Sequence, residues 1–176
     1  IVYYFYSYFD LVKNKHIKLK DKINFTVPTG NFGNILAAYY AKLMGLPVNK
    51  LICTSNDNNV LYDFFNSGIY NKNRELILTS SPSMDILISS NLERLLFEIS
   101  SRDSEKVNNL IKDLNNKGLY KLDTNMKKNL NSFRSEYANE LEVKRNINKV
   151  FKEYNYLIDT HTCVAYTSYM KYLKKQ

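Results

Sequence analysis

Only two cysteines occur in the 176 residues, Cys53 and Cys163, and they stand 110 positions apart. That excludes a disulfide framework and any cysteine-based metal spacing, and it fits a reducing compartment. No apolar run approaches the roughly 20 residues that a membrane-spanning helix needs. The longest, at the start, covers about a dozen residues and reads as a core helix. No stretch of the given sequence has the pattern of a signal peptide. No Walker A pattern and no G-x-G-x-x-G is present, which argues against a nucleotide site. There is no Arg-rich stripe, no zinc-finger spacing, no internal repeat and no low-complexity block.

What is present is a basic, core-forming composition. Lys and Arg number 25 against 17 acidic residues, a formal charge of +8, and 44 % of the chain is hydrophobic. The lysines are scattered, at Lys13, Lys15, Lys18, Lys20 and Lys22, at Lys127 and Lys128, and at Lys171, Lys174 and Lys175. Without a reader motif that distribution does not point to nucleic acid. It suits a phosphate-bearing small molecule better, although a solvated surface would also account for it. The chain opens on Ile1-Val-Tyr-Tyr-Phe-Tyr6 without a Met and ends on a helical pattern without a stop, so it reads as a piece of a longer protein.

The pattern gives an α/β first part, with a partial parallel sheet and flanking helices over residues 1–100, followed by a mostly helical part over 101–176. A buried aromatic helix occupies 1–12. Strand 23–27, helix 34–44 and strand 48–54 form a β-α-β unit, parallel by rule, with Gly45 and Pro47 ending the helix. A short helix from Val60 stops at Gly68, and Leu76–Thr79 is the next strand candidate. Ser90 and Glu93 have the spacing of a capping box ahead of the stripe Leu92, Leu95, Leu96 and Ile99. A second stripe runs from Asp103 to Gly118. Residues 119–137 are poorly patterned. Asn139 and Glu142 cap a further helix, and a last one runs over 163–172.

Phe25-Thr-Val-Pro-Thr-Gly-Asn-Phe-Gly-Asn34 is the most informative stretch. A strand ends at Pro28, which cannot donate to a ladder. Gly30 and Gly33 permit a sharp turn and close approach to a ligand. A helix then begins, and its free amides favour an anion. An ordinary strand-to-helix turn would show the same spacing.

Val27–Asn34 resembles the phosphate-cradling loop of threonine synthases, enzymes that use pyridoxal 5'-phosphate. Six further blocks resemble that family in the same order: 43–47, 58–61, 63–65, 81–85, 89–94 and 159–165. The resemblance implies a fold type II pyridoxal-phosphate enzyme. It implies that Gly30, Asn31, Phe32, Gly33 and Asn34 contact the cofactor phosphate, with a side-chain donor from Asn31 or Asn34. In Asp159-Thr-His-Thr-Cys-Val-Ala165 it implies that Thr162 meets the pyridine nitrogen, where a helix cap is the plainer reading. Thr160 and Cys163 depart from the Pro and Ala usual there.

The family's Schiff-base lysine lies upstream of the loop, so no catalytic residue is assigned here and the piece alone is expected to be inactive. The whole enzyme would convert O-phospho-L-homoserine and water to L-threonine and phosphate, in the cytoplasm, with no metal, nucleic acid or membrane partner and with an oligomer possible. A related lyase acting on another phosphorylated amino acid, or a non-catalytic module retaining the fold, remain the alternatives. The polar loops 56–59, 81–85 and 89–91 stand open as candidate lining.

Overall fold

The computed structural model describes residues 1–175; Gln176, the last residue of the expected helical part, lies outside the described residues. The first helix, α1 (Val2–Lys13), leads to strand β1 (Ile23–Pro28), helix α2 (Gly33–Leu43) and strand β2 (Val48–Ser55). Helix α3 (Val60–Ser67) ends at Gly68, whose φ of 79° is the left-handed cap that glycine adopts without steric cost. A long irregular segment holds a single 3-10 turn at Pro82–Met84 and precedes α4 (Leu92–Ile99) and α5 (Ser104–Lys117). Strand β3 (Ile69–Asn71) pairs antiparallel with β4 (Leu119–Lys121), forming a small separate sheet. Helix α6 (Thr124–Lys128), strand β5 (Phe133–Tyr137) and helices α7 (Glu140–Tyr154) and α8 (Thr160–Leu173) complete the chain.

The main sheet has the order β1-β2-β5, all parallel. The β-α-β unit is therefore as expected. The third strand comes from the stretch whose pattern was weak: Phe133-Arg-Ser-Glu-Tyr137 places Phe133, Ser135 and Glu136 inside, with Arg134 exposed and Tyr137 half-buried. A run with Ser and Glu on buried positions carries no apolar alternation. Glu136 is buried because Lys175 from the end of α8 forms an ion pair with it.

Three expectations are corrected. Helix α1, expected to be buried, buries only Tyr8 and leaves Val2, Tyr3, Tyr6 and Phe9 exposed, because its aromatic residues run round the whole helix and only one side packs on the core. Leu76–Thr79 joins no ladder. Its backbone bonds go to side chains instead: Ile77 N donates to Asn58 Oδ1 (2.9 Å), Asn58 Nδ2 to Ile77 O (2.7 Å), and Thr79 N to Asp85 Oδ2 (2.8 Å). Leu76, Ile77 and Leu78 are consequently exposed. The Ser90/Glu93 capping box does not form. Asn91 is the N-cap of α4, and Ser90 turns toward the Asn31 carboxamide. The box at Asn139 and Glu142 does form.

Two apolar clusters hold the fold. The larger one joins α1, α2, the sheet, α3, α4 and α5, with Phe32, Phe65 and Phe133 stacked at 5.1–5.9 Å. The smaller one brings Met84 together with Ala138, Val143, Val150, Ile158, Cys163 and Val164. Helix α8 packs across β1, β2 and β5. Among the described residues no helix is long and apolar enough to cross a membrane.

Candidate functional site

The turn from Gly30 to Asn34 sits where β1 ends and α2 begins. Among the described residues, none of the backbone N–H groups of Gly30, Asn31, Phe32, Gly33, Asn34 and Ile35 donates to another protein group. The first donor paired again is Leu36 N, on Phe32 O at 3.0 Å. No side chain caps α2. A Ser, Thr, Asp or Asn often serves this purpose; at α2, as at α1, α3 and α4, none does, and the amides and the positive end of the helix dipole stay open.

The carbonyls of the same peptides are not free. Ser89 Oγ donates to Gly30 O at 2.8 Å. Asn91 donates to Asn31 O twice, from its backbone N (3.1 Å) and from Nδ2 (2.8 Å). In a trans peptide the C=O and the following N–H point in opposite directions. Loop 87–91 therefore holds the carbonyls of Gly30 and Asn31 toward itself and turns the amides of Asn31 and Phe32 the other way.

The backbone is strained to do this. Phe32 has φ 67° and ψ −5°, the left-handed region, which is unusual for a bulky residue. Packing against Phe65 and Phe133 keeps it there, for its side chain is only 2 % exposed. Gly30 is required by space. A Cβ there would lie 2.9 Å from Ser83 O and 3.3 Å from Met84 Cα. At Gly33 the nearest atom would be Asn91 Nδ2 at 3.4 Å, an ordinary contact. Tyr4 of α1 donates to Asn34 Oδ1 (2.8 Å) and Asn34 O (3.2 Å), fixing that carboxamide; burial pushes the Tyr4 phenol up to about 12. The Nδ2 groups of Asn31 and Asn34 have no protein acceptor among the described residues.

A polar knot supports the floor of the turn. Asp85 Oδ1 accepts from Asn56 Nδ2 (2.7 Å), Asn58 Nδ2 (3.0 Å) and Thr79 Oγ1 (2.7 Å). All the groups facing it are donors, and the carboxylate oxygen serves each as acceptor. The knot ties the exit of β2 to the 3-10 turn under Gly30. Loops 56–59, 81–85 and 89–91 thus gather around the β1 and β2 ends, where ligands of open α/β sheets bind.

Thr162 is reached through packing. Met84, beside Gly30, shares the smaller cluster with Cys163 and Val164 of the first turn of α8. Thr162 itself is exposed and is not the cap. Asp159 is, accepting from His161 N (3.0 Å) and Thr162 N (3.1 Å), and the Thr162 hydroxyl donates to its other oxygen. The Thr162 hydroxyl and these amides hold the Asp159 carboxyl below the usual carboxylate range. His161 Nδ1 lies 3.5 Å from Asp159, while its Nε2 is buried without a partner. Both cysteines are free and buried, and burial pushes both thiols up, that of Cys53 to about 12, which disfavours the reactive thiolate.

The sequence pointed to the amide turn and to loop 89–91. It gave no sign of Tyr70, whose hydroxyl accepts from Ser89 N (2.8 Å) and donates to Leu87 O (3.0 Å). A tyrosine in a three-residue strand has no periodic signature.

No family model matches the chain. Among curated proteins it is 40% identical over 167 residues to threonine synthase-like 1 of Homo sapiens, covering 94% of this chain and 22% of that protein. It is 38% identical over 179 residues to the threonine synthase of Saccharomyces cerevisiae, covering 94% of this chain and 34% of that one. Two solved structures superpose. The yeast threonine synthase does so with a TM-score of 0.90 and 36% identity, over 98% of this chain and 36% of the other. A PLP-bound threonine synthase from Brucella melitensis does so with a TM-score of 0.87 and 36% identity, over 97% and 36%. The chain thus spans about a third or less of the length of these relatives.

Proposed function

We propose that this chain, homologous along nearly its whole length to part of a threonine synthase, is the cofactor-phosphate-holding portion of a pyridoxal-phosphate lyase that makes L-threonine and phosphate from O-phospho-L-homoserine and water. One observation carries the reading: consecutive amides from Gly30 to Ile35 are left unpaired while loop 87–91 ties back the carbonyls of Gly30 and Asn31. Such an array at a helix start suits a phosphate dianion. The Gly30 cradle fits the group as well, since a Cβ there would push the turn off its floor.

In this reading Gly30, Asn31, Phe32, Gly33 and Asn34 hold the phosphate, and the Nδ2 groups of Asn31 and Asn34 stand ready as further donors. Thr162 would be the residue to meet the ring nitrogen. Its proton is committed to Asp159, so its outward side is an acceptor; contact with an unprotonated nitrogen requires the hydroxyl to turn away from Asp159. When bound, the cofactor supplies an electron sink that permits loss of the substrate phosphate before water adds at the β-carbon. Residues 1–100 carry the cup, and residues 101–176 return to it through α8. The covalent attachment of the cofactor is left to another part of the polypeptide. The two unpaired thiols agree with a cytoplasmic enzyme. The exposed Val2, Tyr3, Tyr6 and Phe9 of α1 agree with cover by further chain or by a second copy.

The test is release of phosphate and threonine from O-phospho-L-homoserine by the natural polypeptide that carries this sequence. Turnover that depends on pyridoxal phosphate and falls sharply in Gly30→Ala is expected. Turnover without that cofactor, or none of this substrate at all, overturns the reading.

A further inference from the structure

The small β3-β4 sheet does not touch the turn, yet one of its side chains bonds the loop that holds it. Tyr70 is 2 % exposed and stacks on Tyr120 across the ladder, with ring centroids 5.3 Å apart and planes 9° from parallel. The Phe64 ring packs against the flank of the pair, 5.8 Å from Tyr70 and 6.0 Å from Tyr120. A tyrosine clamped in this way has a hydroxyl fixed in space. That hydroxyl accepts from Ser89 N and donates to Leu87 O, using both its roles on the backbone of one loop. Burial pushes the phenol up to about 12, so it stays protonated and keeps both bonds at any physiological pH. Ser89, itself buried, then donates its Oγ to Gly30 O.

We propose that Tyr70 is a positioning residue for the anion turn, acting through Ser89: the hydroxyl sets the height of loop 87–89, Ser89 sets the tilt of the Gly30–Asn31 peptide, and that tilt aims the Asn31 amide at the bound phosphate. The inference rests on the phosphate-cup reading. It adds a residue that makes no contact with the cup, in a second sheet, and gives the stacked tyrosine pair a purpose beyond packing. A peptide plane held from its carbonyl side cannot swing toward solvent, so its amide is pre-aimed before the ligand arrives.

The experiment is a double-mutant cycle on the natural polypeptide, with Tyr70→Phe, Ser89→Ala and both together. Tyr70→Phe keeps the ring and its stacking and removes only the hydroxyl. The probe is pyridoxine 5'-phosphate, which lacks the aldehyde, so its affinity reports on noncovalent contacts alone. Its Kd is measured by titration, and the 31P resonance of the bound ester is recorded. Each single variant should bind roughly tenfold more weakly, about the loss of one well-placed hydrogen bond to a charged group. The double variant should bind no more weakly than Ser89→Ala alone, because both act on one peptide. The bound 31P resonance should shift or broaden in all three.

Unchanged affinity in Tyr70→Phe, or losses that add in full, would overturn the proposal. Ser89→Ala guards against a folding defect peculiar to the buried tyrosine. Unchanged affinity in that variant would equally reject the relay. Failure of the unmodified polypeptide to bind the probe would reject the cup itself, and the relay with it, an outcome distinct from the others.

Discussion

Helices α2 and α8 both begin at a turn that the sequence marks, and they begin in opposite ways. At α8 the chain serves its own amides: Asp159 accepts from His161 N and Thr162 N and takes the Thr162 hydroxyl as well. At α2 no side chain does this. The carbonyls of Gly30 and Asn31 are held, the amides beside them are free, and Phe32 is kept in a left-handed conformation by the packing of its ring. A capped helix start is finished when the protein folds. An uncapped start leaves its amides open; α1, α3 and α4 lack a side-chain cap as well, and what sets α2 apart is the left-handed Phe32 and the tied-back carbonyls before it, which is what supports the proposed anion site there.

The largest effect comes from the residue that holds α2 in its strained start. Phe32→Ala should cost about 3–5 kcal/mol of stability in a urea titration, the usual range for emptying a buried aromatic site. Phe32→Gly should be more stable than Phe32→Ala by about 1 kcal/mol, because glycine accepts the left-handed backbone freely. Equal stabilities would mean that the turn stores no strain.

Gly30→Ala comes next. Its Cβ meets backbone at Ser83 and Met84, so about 1–3 kcal/mol should be lost, together with the rise in melting temperature on adding pyridoxine 5'-phosphate. Gly33→Ala, whose Cβ would meet only the Asn91 side chain at an ordinary 3.4 Å, should keep most of both. A reversed order would contradict the close approach at Gly30.

At the other helix, Asp159→Ala should cost about 0.5–2 kcal/mol, as loss of an N-cap does. Because the folded carboxyl titrates below its unfolded value, its contribution is complete above the ordinary carboxylate range and is lost as pH falls through the folded pKa. Melting curves of the two proteins should therefore converge on acidification and stay apart at neutral pH.

The smallest effect would make α2 resemble α8. Asn34→Asp places a carboxylate in the first turn, stabilising the ligand-free protein by about 0.3–1 kcal/mol at low salt while weakening binding of the phosphate probe. An unchanged probe affinity would place the anion away from these amides.

The β-α-β unit was legible because its signals are local: alternation over 23–27, Pro28 as a stop, a helical period after Gly33, and Gly45 with Pro47 as the far boundary. The capping box at Asn139 and Glu142 was legible for the same reason. The one at Ser90 and Glu93 was not, since Ser90 and Asn91 are drawn off to Asn31, some 60 positions away. Leu76–Thr79 has the composition of a strand but found side-chain partners in Asn58 and Asp85 before it found a ladder. Strand β5 escaped notice because Ser135 and Glu136 occupy inward positions that only Cys53 O and Lys175 make tolerable.

Taken by itself, the sequence determined which segments would be helix or strand wherever propensity and period agreed, because those preferences belong to each residue and its near neighbours; that Gly30 serves close approach while Phe32, not a glycine, takes the left-handed turn was not among them. Which groups of that turn would be used up and which left open was decided only by the tertiary structure. Ser89, Asn91, Tyr70 and Asp85 reach the turn or its floor from distant parts of the chain, and a hydrogen bond between distant residues leaves no period, spacing or composition to read.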